Sequence, residues 1–318
     1  MIALSYFYWG TRAGTRRAAC AALTHVLLTL AGSWLALPAA AQPTGKRVAF
    51  VVGNANYANE KPLANPHSDA RLLAAVLRSG LRFDEVTEHY DLNRSQLFDL
   101  VSEIRRKAQR ADAVVVYFSG HGMRGPGGNY LIPVDARITA EEHLRRDGVS
   151  ATDLVDVLSS SQARVALLVL DACRDNPYGL GTKSTSKGLE RMHVSGGNLL
   201  VSYATQDGQT ADDGRPGNSP YARALAQHLG ELGKPLLAQL DGVRRTTRQL
   251  TSGRQNPTRE GDLEVDVYLV PPPPVASVPP VPLQRDRAES GPIPSELRHP
   301  RPTARRASEM DDYLFRGR

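Results

Sequence analysis

The fold of this chain is decided by residues 112–122, which read DAVVVYFSGHG. The β-branched and aromatic run at 113–118 predicts a strand that is buried on both faces, as the strands of parallel sheets are. Small and polar residues follow it directly, namely Ser119, Gly120, His121 and Gly122. In sheets of this kind, ligands bind just beyond the carboxyl ends of the strands. This strand end is therefore the first candidate for a functional site.

The same pattern repeats outward along the chain. Apolar runs predict further strands at 47–53, 163–170 and 198–204, and residues 83–90 and 265–269 are two more strand candidates. Amphipathic spacing predicts helices at 69–79, 94–108, 152–158, 219–229 and 236–250, with Thr152 or Asp153 as the cap of the third. Strands that alternate with helices form a mainly parallel sheet through right-handed crossovers. The sequence therefore predicts an α/β fold with helices on both faces of the sheet.

The composition is that of a globular protein. The 318 residues are 41% hydrophobic and 23% charged, which suits one large domain or two small ones and excludes collagen and disorder throughout. The net charge is +6, but +3 belongs to residues 1–41 and +2 to residues 271–318, so that +1 remains for 42–270. A nearly neutral domain with few aromatic residues argues against a nucleic-acid partner.

Both ends of the chain have the composition of segments outside the fold. Residues 1–41 combine a positive start, an apolar stretch and the small residues Ala39 and Ala41, which predicts a secretory signal cleaved after Ala41. The expected location is then periplasmic or secreted, and an uncleaved N-terminal membrane anchor is the alternative. Residues 271–318 are rich in Pro and Arg, which predicts a disordered tail whose partner the sequence does not indicate. One domain over 46–270 is left between them.

Cys173 is the single cysteine that remains after such cleavage, and it follows the strand predicted at 163–170. One thiol forms no internal disulfide, so intermolecular pairing, an inert buried residue or a reactive nucleophile remain. Because parallel strands end at the same edge, we expect His121 to lie beside Cys173. An imidazole raises the thiolate fraction and can later protonate a leaving amine. We therefore predict a His–Cys dyad; a loop histidine with ordinary hydrogen bonds and a buried structural thiol are the alternatives.

The glycines beside His121 fit peptide chemistry. Gly120 and Gly122 are expected to leave room for the backbone of a substrate. The N–H of Gly122 is expected to point at a developing oxyanion, and the N–H of Cys173 is the second candidate donor.

The sequence lacks the motifs of two other classes of thiol enzyme. A phosphatase loop needs Arg six residues after the cysteine, where this chain has Gly179. A thioredoxin-like motif needs a second cysteine three residues after the first, where this chain has Asn176.

The two strand ends together resemble the caspase-like cysteine peptidases of family C14, clan CD. The histidine stands 52 residues before the cysteine, close to the spacing in caspases. The cysteine lies in Asp171-Ala172-Cys173-Arg174 and not in the Q-A-C-R-G of true caspases. Its Asp-x-Cys pattern is similar to that of metacaspases and bacterial orthocaspases. Residues 202–204 and 209–212 resemble the strand after the cysteine in metacaspases. The resemblance covers about residues 46–270 and implies the caspase-like (caspase–hemoglobinase) sheet.

The resemblance also implies a class of substrate. Asp69 matches the acidic pocket position of metacaspases, which hold Arg or Lys, and Asp171 stands two residues before the nucleophile. A guanidinium between two carboxylates gains charge-assisted hydrogen bonds. The alternatives are a helix N-cap or first-turn role for Asp69 and a loop cap for Asp171. Ser202, Tyr203 and Ala204 are expected to line the cleft and to offer backbone hydrogen bonds to an extended substrate.

The function predicted from these residues is an endopeptidase that cleaves peptide or protein substrates after Arg or Lys. Its catalytic residues are His121, Cys173 and Gly122. A catalytically silent caspase-like interaction module is the alternative function.

Self-processing and calcium are the last features that the resemblance raises. Residues 175–197 form a long segment rich in Gly, Ser and Lys, in the region where caspases are cut during activation. Self-cleavage is expected there, with Lys183, Lys187 and Arg191 as basic residues. Asp207 falls where metacaspases have one acidic calcium ligand, but nothing in the chain resembles a calcium loop. No metal ligand and no cofactor are predicted, and calcium dependence is left open.

Overall fold

A sheet of eight strands organises the described part of this computed structural model, which comprises residues 45–173, 189–194, 196–206, 209, 211 and 217–270, with the backbone alone for Cys173. The strands are β1 (Arg47–Gly53), β2 (Glu85–Tyr90), β3 (Ala113–Gly125), β4 (Gly128–Leu131), β5 (Val149–Ser150), β6 (Ala166–Cys173), β7 (Asn198–Tyr203) and β8 (Thr258–Leu263). Six of them follow the order β2-β1-β3-β6-β7-β8, and each neighbouring pair is parallel except β7 with β8. The predicted signal at 1–41, the predicted tail at 271–318, Lys183, Lys187 and Asp207 lie outside the described residues.

Helices cover both faces of this sheet. Over the described residues they are α1 (Pro66–Ala75, continued by a π-helical turn at Val76–Gly80), α2 (Arg94–Lys107), α3 (His143–Asp147), α4 (Ala151–Ser159), α5 (Pro220–His228) and α6 (Leu236–Leu250). Successive strand residues point to opposite faces. Phe50 of β1 therefore packs into a core with α2 and α4, and Val51 into a second core with α1, α5 and α6. The predicted α/β class is confirmed. Among the described helices, none has the length and apolarity needed to span a membrane.

The two strands that carry the candidate catalytic residues are longer than predicted. β3 continues past Ser119 to Gly125 because its last residues pair with β4, and β6 continues past Leu170 to Cys173 because it stays paired with β3. Pairing gives the backbone groups of this buried stretch their hydrogen-bond partners, which a buried loop would lack. His121 and Cys173 therefore lie within strands and not in the loops after them.

The strand predicted at 265–269 is wrong. The edge strand is β8, at Thr258–Leu263, and it runs antiparallel to β7. Its sequence is TREGDL, so a search for apolar runs overlooks it, although charged residues are typical of exposed edge strands. β4, β5 and α3 were also missed, because segments of two to five residues are too short for a periodic pattern.

The cap predicted for α4 is also wrong. The capping residue is Ser150, whose side chain accepts a hydrogen bond from the N–H of Asp153. The helix therefore begins at Ala151, one residue before the predicted start.

Candidate active site

The backbones of β3 and β6 bring the two candidate catalytic residues side by side. In the register of this parallel pair, His121 is the Cα partner of Cys173, and Ser119 is the partner of Asp171. Neighbouring strands lie about 4.8 Å apart. The two residues therefore occupy adjacent backbone positions at one end of the sheet.

His121 is buried, with 5% of its surface exposed, and is held on both its backbone and its ring. Its N–H donates to the phenol oxygen of Tyr57 at 2.8 Å, and its ring lies tilted against that of Tyr57 with the centroids 4.4 Å apart. The ring Nε2 lies 3.1 Å from the carbonyl oxygen of Lys61. A carbonyl only accepts, so Nε2 carries the proton of this hydrogen bond. In the neutral ring, Nδ1 is then the basic nitrogen.

The loop between β1 and α1 supplies both of these partners of His121. It is anchored by Asn54, which is completely buried. The N–H of Asn54 donates to the Ser119 carbonyl at 2.9 Å, and its side-chain oxygen accepts from the Leu92 N–H at 2.9 Å. Sequence patterns did not indicate Tyr57 or Lys61, because a loop has no periodic signal that points at a distant strand.

The two glycines beside His121 have a different role from the predicted one. A Cβ built on Gly120 would lie 2.7 Å from the hydroxyl of Tyr57. A Cβ built on Gly122 would lie 2.9 Å from the Cβ of Ala172 and 3.2 Å from the side chain of Leu189. The expectation that these positions leave room for a substrate backbone is wrong, because the protein's own side chains fill the space. Glycine is needed here for close internal packing.

Asp69 and Asp171, which are far apart in sequence, meet at one residue, Ser219. The hydroxyl of Ser219 donates to Oδ2 of Asp171 at 2.7 Å, and its backbone N–H donates to Oδ1 of Asp69 at 2.9 Å. Both carboxylates are buried, Asp69 with 1% and Asp171 with 6% of its surface exposed. The N-cap residue Asn65 makes no side-chain cap hydrogen bond on α1, and Asp69 lies in the first turn of that helix, which is one of the predicted alternatives.

Tyr117 is a further partner of the same pair. Its hydroxyl donates to Oδ2 of Asp171 at 2.9 Å. Complete burial, followed by the charges of Asp171 and Asp69, raises the pKa of Tyr117 well above its ordinary value. The phenol therefore stays protonated and remains a donor. The period of two along β3 would have placed Tyr117 on the same face as Ser119 and His121, and so could have indicated it.

The three residues expected to line the substrate cleft differ in their surroundings. The hydroxyl of Ser202 lies 2.7 Å from that of Tyr221, whose pKa is raised by complete burial. Tyr203 belongs to the core on the opposite face of the sheet from Tyr117, and its hydroxyl accepts from the N–H of Met192. The Tyr203 side chain therefore points away from the face that carries Tyr117, while a backbone contribution of Tyr203 to the cleft stays a prediction.

Ala204 differs from the prediction as well. Its N–H donates to the carbonyl of Leu170 at 3.0 Å, and its own carbonyl accepts from the Gln255 side chain at 2.8 Å. Because its N–H is already committed inside the protein, Ala204 does not donate to a substrate backbone as expected.

The described end of the expected processing segment is fixed to the domain. Asn129 and Glu190 are joined by two hydrogen bonds of 2.8 Å, from the Glu190 N–H to the Asn129 side chain and from that side chain back to the Glu190 carbonyl. Leu189 and Met192 are buried on either side. Arg191 lies between them and pairs with Glu260 at 3.3 Å.

Among the residues that the structure describes, no group of three or more His, Cys, Asp or Glu side chains is arranged to hold a metal ion. Asp207 is outside these residues, so calcium dependence stays open.

Comparison with known proteins identifies the family. The Caspase domain model, Peptidase C14, matches residues 46–268. Mucosa-associated lymphoid tissue lymphoma translocation protein 1 of Homo sapiens is 27% identical over 172 residues, which cover 54% of this chain and 20% of that protein. The Mus musculus homolog is 26% identical over 221 residues, which cover 67% of this chain and 25% of that protein. The chain thus matches a quarter or less of the length of these relatives. From the family match over most of its length, we conclude that the chain belongs to the caspase domain family, the C14 peptidases.

Proposed function

We propose that the protein is a cysteine-type endopeptidase that cleaves peptide bonds after arginine or lysine. The observation that carries the proposal is the register of β3 and β6, which pairs His121 with Cys173 and Ser119 with Asp171. His121 and Cys173 would supply the base and the nucleophile. Asp171 is one of two buried carboxylates that meet at Ser219, and Asp69 is the other. Membership of the caspase domain family supports the peptidase chemistry.

In the proposed reaction, His121 is the base and Cys173 the nucleophile. The hydrogen bond from Nε2–H to the Lys61 carbonyl leaves Nδ1 of the neutral ring to take the thiol proton. The thiolate then attacks the carbonyl carbon of the scissile bond, a carbon–sulfur bond forms, and the carbonyl oxygen becomes an oxyanion. We propose the backbone N–H groups of Gly122 and Cys173 as the donors to that oxygen, which requires the strand pairing at the ends of β3 and β6 to open when substrate binds.

The second half of the reaction returns the enzyme to its starting state. Nδ1–H of His121 gives its proton to the nitrogen of the leaving amine as the carbon–nitrogen bond breaks, which leaves a thioester on Cys173. Water then attacks the thioester with His121 again as base. The acid product leaves, and the thiol recovers its proton.

The preference for a basic residue rests on Asp69 and Asp171. Both carboxylates are buried and are joined through Ser219. A buried pair of negative charges favours a cation and disfavours an acidic residue at the same place, because Coulomb interactions strengthen where water is excluded. Arginine suits such a pair because its guanidinium can donate to two carboxylates at once.

The dyad is tested by replacing its members in the full chain. We expect Cys173→Ala and His121→Ala to abolish cleavage of a peptide with Arg at P1, and Cys20→Ala to leave it intact. An electrophilic peptide with Arg at P1 should label Cys173 in the wild-type protein and not in the His121 variant. Cleavage retained by Cys173→Ala would refute the proposal. Absence of both cleavage and labelling in the wild type would favour the silent interaction module.

The acidic pocket is tested with Asp69→Asn and Asp171→Asn, which keep the shape of the side chain and remove its charge. We expect kcat/KM for Arg and Lys peptides to fall on the order of tenfold to hundredfold, as expected for lost hydrogen bonds to a charged group. Asp241→Asn is the matched control, because Asp241 is 45% exposed and pairs with Arg259 on the surface. Unchanged kcat/KM in both pocket variants would contradict the assignment.

A further inference from the structure

Ser219 makes three hydrogen bonds through two polar groups, its backbone N–H and its hydroxyl, and each bond reaches a different part of the structure. Its N–H donates to Asp69 on α1, and its hydroxyl donates to Asp171 at the end of β6. The same hydroxyl oxygen accepts from the N–H of Ala222 at 2.9 Å and so caps α5. Ser219 is itself buried, with 3% of its surface exposed.

The direction of each hydrogen bond at Ser219 is fixed by chemistry. The backbone N–H of Ala222 can only donate, and an ionised carboxylate can only accept. The single hydroxyl proton of Ser219 is therefore donated to Asp171, while one lone pair of the same oxygen accepts from the N–H of Ala222 in the helix. Tyr117 donates to the same oxygen of Asp171, so two buried hydroxyls converge on one carboxylate oxygen.

The two residues before Ser219 reinforce this arrangement. The side chain of Asn218 donates to Oδ1 of Asp69 at 2.9 Å, and the N–H of Gly217 donates to the side chain of Asn65 at 3.0 Å. Asn65 stands directly before α1. The clasp, as we name residues 217–219, thus ties the start of α5 to the start of α1 and to both acidic side chains.

We propose that Ser219 is a positioning residue for substrate specificity, which fixes the spacing and orientation of the Asp69 and Asp171 carboxylates so that they suit a guanidinium. This inference rests on the proposed function and names the feature that separates arginine from lysine. A guanidinium is planar and holds its donors in a fixed fork, so its binding depends on the positions of both carboxylates. A lysine ammonium is a compact charge on a flexible stem and depends on them less. Loosening the pair therefore weakens arginine binding more than lysine binding.

The test compares variants that separate the capping role of Ser219 from its hydrogen bond to Asp171. Ser219→Ala and Ser219→Gly both remove the hydroxyl, but glycine is tolerated far better than alanine at a helix N-cap. Ser219→Thr keeps the hydroxyl. Ser150→Ala is the matched control, because Ser150 caps α4 in the same way and makes no described contact with either carboxylate.

We expect Ser219→Ala and Ser219→Gly to raise KM for a peptide with Arg at P1 by about tenfold and to reduce the preference for Arg over Lys, with kcat changed less. The two variants should agree in KM although their Tm values differ. Ser219→Thr should restore wild-type KM, and Ser150→Ala should lower Tm without any change in KM. Wild-type KM and Arg-to-Lys preference in Ser219→Ala, or equal kinetic effects in Ser150→Ala, would overturn the proposal.

A binding measurement keeps this inference separate from the peptidase activity itself. Agmatine carries a guanidinium and has no scissile bond, so its Kd, measured by calorimetry on the full chain, does not depend on Cys173. We expect a Kd about tenfold weaker in Ser219→Ala than in wild type and unchanged in Cys173→Ala. If the wild type binds agmatine but cleaves nothing, the peptidase proposal fails while the role of Ser219 stands. Equal Kd values in Ser219→Ala and wild type, or no binding to wild type, would reject the role of Ser219.

Discussion

The backbone N–H of His121 donates a hydrogen bond of 2.8 Å to the hydroxyl of Tyr57, and the same hydroxyl donates to the carbonyl of Ile132 at 3.2 Å. One phenol group therefore connects the strand of the candidate base to the segment after β4. The tilted contact between the Tyr57 and His121 rings adds packing to this connection.

We expect Tyr57→Phe to lower both stability and catalysis. The change leaves the His121 N–H buried without its acceptor, which costs about 1–3 kcal/mol of the free energy of unfolding. The ring of His121 loses part of its alignment, so kcat for an Arg peptide should also fall. Tyr130→Phe is the control, since Tyr130 belongs to the same buried cluster as Tyr57 and the change removes a hydroxyl that donates to the Pro126 carbonyl, away from His121. Denaturant unfolding and steady-state kinetics should show a loss of stability in both variants and a loss of kcat in the first alone.

Packing at Gly122 predicts a destabilisation that a second substitution relieves. Gly122→Ala would put a Cβ 2.9 Å from the Cβ of Ala172, which should cost about 1–3 kcal/mol of the free energy of unfolding. Adding Ala172→Gly removes the colliding atom, so the double variant should be less destabilised than the sum of the single ones. Gly80→Ala is the control, because its added Cβ would meet only one side chain, at 4.0 Å. Strict additivity in denaturant unfolding would contradict the contact.

Asp91 predicts a pH dependence of stability. Partial burial raises its pKa, but hydrogen bonds from the backbone of Asn56 and Ala55 and from His67 outweigh this effect and lower the pKa to about 2 from an ordinary value of 3.8. A lowered pKa in the folded state stabilises the protein above the unfolded pKa, and the stabilisation disappears as pH falls through the folded one. Because Asp91 is partly exposed and water screens its interactions, the contribution at neutral pH is on the order of 1 kcal/mol.

We therefore expect Asp91→Asn to unfold more easily than wild type at every pH above about 4, with the difference shrinking to nothing near pH 2. Urea unfolding at a series of pH values measures this. Asp99→Asn, on the exposed surface of α2, serves as the control. Because Asp91 fixes the start of the loop that carries Tyr57, the Asp91 variant should also lose activity. A difference between variant and wild type that is independent of pH would contradict the assignment.

The hydrogen bonds of Glu190 and Met192 predict where self-cleavage occurs. The nitrogen of the bond after Arg191 belongs to Met192, whose N–H donates to the buried hydroxyl of Tyr203 at 3.1 Å. That bond is held inside the structure and would have to detach before it entered an active site. During prolonged incubation of the active protein, we expect cuts after Lys183 or Lys187 and none after Arg191.

Mass spectrometry of the new N-termini tests this expectation, with Cys173→Ala as the inactive control. Asn129→Ala removes both hydrogen bonds to Glu190 and should make the bond after Arg191 accessible. An N-terminus at Met192 in the wild-type protein would show that this segment detaches readily.

Much of the fold and part of the site follow from local patterns. The apolar runs located the four inner strands at 47–53, 113–118, 166–170 and 198–203, because burial of a strand on both faces leaves its mark on consecutive residues. The partly exposed edge strand at 85–90 was located as well. The same reasoning failed for β8, which lies at an exposed edge and has a polar sequence. It also misjudged Gly120 and Gly122, because what fills the space beside a glycine depends on residues elsewhere in the chain.

The sequence by itself determined the α/β class and the adjacent backbone positions of His121 and Cys173, since both follow from strand periodicity and from the common edge of a parallel sheet. Only the tertiary structure decided what surrounds them. Ser219 reaches Asp171 across 48 residues and Asp69 across 150, and Tyr57 reaches His121 across 64. Such contacts depend on how helices and loops pack against the sheet, and no local period along the chain encodes that packing.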